Sequence, residues 1–327
     1  MDELDRLLAQ TLHGAADRAP SDAGLLTGVH GRARRHRRRK VATVLSAAAA
    51  ALALGIPAAV GLAVRPDVPA PPAAVPTTAA PSESATAAAM RLSAGYTAPA
   101  FPYTLPATNG MRAPIAWMDG GNLVAFFEAI DIRHHSDTTV TVSSRRPAFT
   151  TAGTETQRTV RGHAGTLRTV DVQPAKQLTL YWPESSTQWI TLATDDTYTP
   201  QQVVALANSL TAASIAVSPP FELDLSPAGF STETVSSSTM SFRDAGGAQF
   251  RVVLYKRRAL QQPNQTVGAY KAQLTRDADG ATLDVDVTDW TATLRVTAAA
   301  GLNVSDADLL RFAAGVHVLN RSDPADW

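Results

Sequence analysis

The sequence predicts an α+β fold: tandem duplicated antiparallel β-sheet units, each closed by a C-terminal helix, preceded by one transmembrane helix. Three observations predict it. Residues 41–64 carry no charged side chain. Beyond residue 90, short runs alternate apolar and polar side chains, the period of a half-buried strand. Each series of runs then ends in a stretch whose apolar residues recur at helical spacing, and the series occurs twice.

Residues 1–40 form the first segment. Leu4, Leu7, Leu8 and Leu12 fall at i, i+3, i+4 and i+8, one stripe on a helix from Asp2 to Ala16. Asp2, Glu3 and Asp5 suit the positive end of its dipole. So short a helix is marginal in water. The stripe is therefore expected to face the membrane, the second apolar cluster at Leu25, Leu26 and Val29, or a cytoplasmic protein partner. Next comes a basic run: Arg32, Arg34, Arg35, Arg37, Arg38, Arg39 and Lys40. The 24 residues of the apolar stretch 41–64 reach about 36 Å as a helix, against about 30 Å of hydrocarbon. The basic run on one flank, opposite only Arg65 and Asp67, sets the N-terminus inside. The expected location is a bacterial cell membrane, with the C-terminal domains extracytoplasmic. A cleavable signal peptide ending at Gly61-Leu62-Ala63 would need a far shorter leader than 40 residues.

The opening MDELDRLLAQTLHGAADRAP, the run RARRHRRRK, the Ala-rich span and the Pro/Thr-rich stretch behind it resemble the layout of actinobacterial single-pass membrane proteins, and of membrane-anchored anti-sigma factors in particular. That resemblance covers about the first 90 residues and implies an inner helix that holds a partner and an outer domain that senses. The zinc-type His-x-x-x-Cys-x-x-Cys pattern of such factors is absent, because the chain has no cysteine.

Residues 65–89 are rich in Pro, Ala, Ser and Thr and read as an extended stalk. From residue 90 the two copies align in pieces. Phe101-Pro-Tyr-Thr-Leu matches Phe221-Glu-Leu-Asp-Leu, and Val140-Thr-Val-Ser-Ser-Arg-Arg matches Val252-Val-Leu-Tyr-Lys-Arg-Arg. Thr159-Val-Arg-Gly-His matches Thr266-Val-Gly-Ala-Tyr, and Thr199 opens a helical pattern as Ser305 does. The expected units are 90–216 and 217–320, with a tail at 321–327. Thr199 and Ser305 are N-cap residues, with Pro200 at the first helical position. Val203, Leu206, Ala207 and Leu210 make one buried face, and Leu309, Phe312, Ala313 and Val316 the other.

Composition narrows the function. Residues 1–40 hold nine of the 29 Lys and Arg and five of the 29 Asp and Glu, leaving the rest mildly acidic. An acidic outer part is a poor nucleic-acid binder, so no nucleic-acid partner is expected. Without cysteine, disulfides, thiolate nucleophiles and Cys-ligated zinc are excluded. There is no Gly-x-Ser-x-Gly, Ser-x-x-Lys or His-Glu-x-x-His motif and no phosphate-cradling loop. No catalytic residue, cofactor or metal site is expected. Arg145-Arg146 and Arg257-Arg258 follow equivalent strands, and a guanidinium fork suits an anionic ligand such as a cell-envelope polymer. The plain alternative is a solvated strand end. His134-His135 falls at a hairpin tip where the second copy has Gly246-Gly247, and adjacent side chains point apart rather than converge on a metal; Asp277, Asp279 and Gly280 fit a turn, and Asp284 and Asp286 are expected on a wet face. Trp117, Trp182, Trp189 and Trp290 are read as packing residues rather than sugar platforms. The reading is a non-catalytic membrane-anchored envelope protein with an extracytoplasmic binding or sensing module. Its alternatives are an anti-sigma-factor-like regulator working through the leucine stripe and an extracytoplasmic hydrolase.

Overall fold

A computed structural model describes residues 90–107, 110–172, 175–321 and 323–327 of the chain. The first half runs β1 (Leu92–Ala94), β2 (Ala100–Thr104), β3 (Ile115–Asp119), β4 (Asn122–Phe127), β5 (Thr138–Ser143), β6 (Thr154–Val160), β7 (His163–Val172), β8 (Ala175–Ser185), β9 (Gln188–Asp195), α1 (Pro200–Asn208) and β10 (Thr211–Ala216). The second runs β11 (Phe221–Leu223), β12 (Leu225–Pro227), β13 (Ser231–Val235), β14 (Thr239–Arg243), β15 (Gln249–Lys256), β16 (Gln265–Val267), β17 (Tyr270–Asp277), β18 (Gly280–Val287), a 3-10 turn (Thr288–Trp290), β19 (Ala292–Ala299), α2 (Asp306–Ala314) and β20 (Val316–Val318).

Fourteen strands form one antiparallel sheet in the order β16-β17-β18-β19-β15-β14-β13-β3-β4-β5-β9-β8-β7-β6. The order is symmetric about its middle: β3 to β9 occupy the places that β13 to β19 occupy in the other half. The halves meet where β13 pairs with β3, Val235 opposite Met118. Gly120 and Gly121 both take positive φ at the tip of the β3–β4 hairpin, as the tight hairpin turn requires. The Gly121 N–H then donates to the Glu233 carbonyl across the junction, at 2.8 Å. Three small pairs complete the fold: β2 with β10, β11 with β20, and β1 with β12. The last of these ties the start of the described chain to the second half.

One continuous core runs under both halves. Alternation is cleanest in β18, where Ala281, Leu283, Val285 and Val287 point in and the residues between them lie nearer solvent. Phe101 and Phe221, matched in the two halves, are both fully buried, as are Trp182, Phe127, Phe250 and Phe312. Phe312 of α2 stands edge-on against Phe250 of β15, ring centres 4.8 Å apart. Each helix has its N-cap in place. The Thr199 hydroxyl accepts from Gln202 N–H while the Gln202 side chain accepts from Thr199 N–H, and the Ser305 hydroxyl accepts from Asp308 N–H.

Two expectations require correction. The fold is not an α+β pair of separate units closed by helices. Strand dominates, the sheet is shared, and each helix is only nine residues long and is followed by a further strand. Leu210 and Val316, which extend the apolar faces at helical spacing, lie beyond the ends of α1 and α2. Val316 already belongs to β20, and Leu210 directly precedes β10. Residues at i and i+3 cannot distinguish a last helical turn from the strand that replaces it. β10 then closes the first half by pairing with β2, and β20 closes the second by pairing with β11. The second correction concerns the membrane: among the described residues no helix is long and apolar enough to cross one. The expected span at 41–64, the leucine stripe Leu4, Leu7, Leu8 and Leu12, and the basic run from Arg32 to Lys40 all lie outside the described residues.

Two substitutions separate capping from packing. Phe312→Ala removes a fully buried ring from the shared core and should cost about 3–5 kcal/mol. Thr199→Ala removes one capping group and should cost about 1 kcal/mol. Urea unfolding of the two variants beside the parent checks both magnitudes and their order.

Candidate binding surface

The outer face of the sheet, opposite the core, carries arginines packed against aromatic rings in both halves. In the first half, Tyr181 of β8 is buried although it points away from the main core. Phe149 from the β5–β6 loop lies 5.4 Å from its ring and Trp189 of β9 lies 6.5 Å away. The Arg168 guanidinium sits over Phe149 and donates to the Thr151 carbonyl, fixing the loop against the sheet. In the second half, Trp327 stacks on Tyr255 of β15, centroids 4.6 Å apart and planes 14° apart. Arg295 lies 4.6 Å and Arg258 5.2 Å from the indole centroid.

The four arginines singled out from sequence do sit at equivalent strand ends, but they do not converge. Arg146 reaches over Tyr181 and Trp189 and donates to the Tyr181 hydroxyl at 3.3 Å. That hydrogen bond holds its pKa above the usual arginine value. Arg257 makes a two-point pair with Asp286, at 2.8 and 3.0 Å, which draws Asp286 below the ordinary carboxylate range. Arg258 stacks on Trp327. Arg145 is exposed and makes no ion pair among the described residues. Asp284, beside Asp286 on the same face, is gripped by Arg295 through two bonds of 2.7 Å, and both carboxylates are largely covered rather than wet. His134 bonds Asp131 and His135 bonds the Tyr198 hydroxyl. Among the described residues no group of three metal-ligating side chains converges. Trp182 is in the core, Trp117 and Trp189 are half-buried, and Trp290 lies under Arg321.

Beside Arg145 the sheet opens into a hollow of about 390 Å³. Met118, Leu123, Val142 and Pro99 give it apolar walls, and Ser143, Ser144, Ser185, Thr187 and Gln188 give it polar groups. A half-buried network supports this end. Arg161 binds Glu184 at 2.9 Å, donates to the Leu210 carbonyl and faces Tyr103. The Tyr103 hydroxyl in turn donates to Gln188 at 2.9 Å. Burial pushes the Glu184 carboxyl up, but bonds from Arg161 and Trp182 outweigh it, and its pKa falls below the usual value. None of the hollow's serines was singled out from sequence. The signal lay in the repeat itself, where Ser143-Ser144 stand opposite Tyr255-Lys256.

Because Glu184 is held low in the folded chain, it contributes stability above its unfolded value of about 4.3. That contribution disappears as pH falls through its lower folded value. Glu184→Gln should therefore be less stable than the parent at pH 7, with the gap narrowing as pH falls below about 4.3, in urea midpoints taken along that series. Comparison of the chain with protein-family models, with curated proteins and with solved structures gives no match.

Proposed function

We propose that this protein is a non-catalytic binding or sensing module of the bacterial envelope, with its β-sheet part on the outer side. Its ligand is anionic and is held at the open end of the first half. The observation that carries this reading is the hollow between Pro99, Met118 and Ser144, with the exposed Arg145 following Ser144 directly in the chain. A concave site with apolar walls and a few polar groups is the usual form of a ligand site. An exposed arginine with no carboxylate beside it is a ready partner for phosphate or carboxylate. The outward placement rests on the sequence of residues 1–64 alone.

The second half supplies the internal control. Arg257, the counterpart of Arg145, is already paired with Asp286. Arg145→Gln should reduce retention of the full chain on isolated cell envelope about two- to fivefold, the range of one exposed ion pair. Arg257→Gln should leave it unchanged. Equal retention of the parent and Arg145→Gln would exclude the first-half site.

A further inference from the structure

The two halves differ at one place in a way that identifies an occupant. In the second half, the end of β15 is covered by the chain's own tail. Lys256 N–H donates to the Ala325 carbonyl at 3.0 Å, and Ala325 N–H donates to the Leu254 carbonyl at 2.9 Å. The tail thus runs parallel to β15 beside Tyr255. Its side chains hold it there: Asp326 pairs with Lys256 at 2.6 Å, and Trp327 stacks on Tyr255 while its indole N–H donates to the Lys256 carbonyl at 2.7 Å. Leu254, Tyr255 and Lys256 therefore make every one of these contacts.

Their counterparts in the first half are Val142, Ser143 and Ser144, by the alignment of Val140-Thr-Val-Ser-Ser-Arg-Arg with Val252-Val-Leu-Tyr-Lys-Arg-Arg. The strand registers agree, since Val142 lies opposite Ile190 of β9 as Leu254 lies opposite Leu294 of β19. All three counterparts line the open hollow. Part of what the tail fills in the second half is open in the first: Leu123 takes the place beside Val142, and Ser143 and Ser144 are left facing the hollow.

We propose that the first-half hollow binds an extended peptide segment of a partner protein, with the tail's own chemistry of a small residue, an acidic residue and an aromatic residue. This rests on the binding-module reading above and names its ligand. β4 is one step longer than its counterpart, and Leu123 already pairs with Val142. The entering strand therefore aligns from Ser144 onward. Arg145 replaces Lys256 as the cation for the acidic side chain. Ser143, in place of Tyr255, leaves room for the aromatic ring. A second copy of this chain is a poor source of the segment, because each copy's tail is held by its own second half. Strand addition of this kind takes affinity from backbone bonds and specificity from side-chain pockets.

The test uses the full chain and a fluorescein-labelled peptide of the sequence Arg-Ser-Asp-Pro-Ala-Asp-Trp, followed by fluorescence anisotropy. Saturable binding is expected. Arg145→Glu should weaken it about fivefold or more, since an attraction becomes a repulsion. The same variant should bind better than the parent does a peptide whose second Asp is Lys. Ser144→Pro, which deletes the N–H, should weaken the original peptide as well. The proposal fails if no saturable binding occurs or if Arg145→Glu and the parent bind both peptides alike. It also fails if binding appears only after Trp327→Ala, which would place the peptide in the tail's own site. If the peptide fails while Arg145→Gln still loses retention on cell envelope, the ligand is an envelope polymer. In that case only the peptide assignment falls.

Discussion

A β-strand at the edge of a sheet leaves a row of N–H and C=O groups without partners, and the architecture of this protein follows from how its two halves meet that constraint. Each half alone would end in two such edges. β3 and β13 satisfy one edge from each half by pairing with one another, and the Gly121 N–H extends the seam to Glu233. Through that junction two seven-stranded units become one fourteen-stranded sheet over one core. The crossing of β1 to β12 reinforces the same union, since the chain entering the first half is hydrogen-bonded to the second.

Once the halves share a core, their inner faces are bound to the same rules while their outer faces can diverge. Phe101 and Phe221 keep the same role, and so do the caps at Thr199 and Ser305. On the outer face the common theme is arginine over aromatic, but the source of the covering ring differs. The first half takes it from the β5–β6 loop through Phe149, the second from the tail through Trp327. Covering an aromatic with a guanidinium shields apolar surface without removing charge from water. The same divergence leaves the open hollow beside Ser143 and Ser144, because the tail covers only the second half.

The local features of the fold were legible because they are set by neighbours in sequence. Thr199 followed by Pro200 marks a helix start, Asp277 to Gly280 marks a turn, and Leu283 to Val287 alternates as a strand must. What sequence patterning misread was the end of each helix. Leu210 and Val316 continue a helical spacing, yet the chain turns into β10 and β20 there because pairing with β2 and β11 satisfies more backbone groups than another turn would. The candidate site was legible only in part. The arginine pairs were visible as a repeat, but which guanidinium stays exposed depended on Asp286, Tyr181 and Trp327, residues distant in sequence.

Side-chain pattern and backbone preference marked the helix starts at Thr199 and Ser305, the turn at Asp277 to Gly280, alternating runs such as Leu283 to Val287, and the likeness between residues near 100–216 and 221–318. These follow from side-chain period and backbone preference, which act within a few residues. Tertiary structure alone decided that the two units share a sheet, that Arg145 rather than Arg257 is exposed without an ion pair, and that the tail covers one half. Each of those outcomes depends on which distant backbone or charged group lies against an unsatisfied partner in the folded chain, and no local pattern records that.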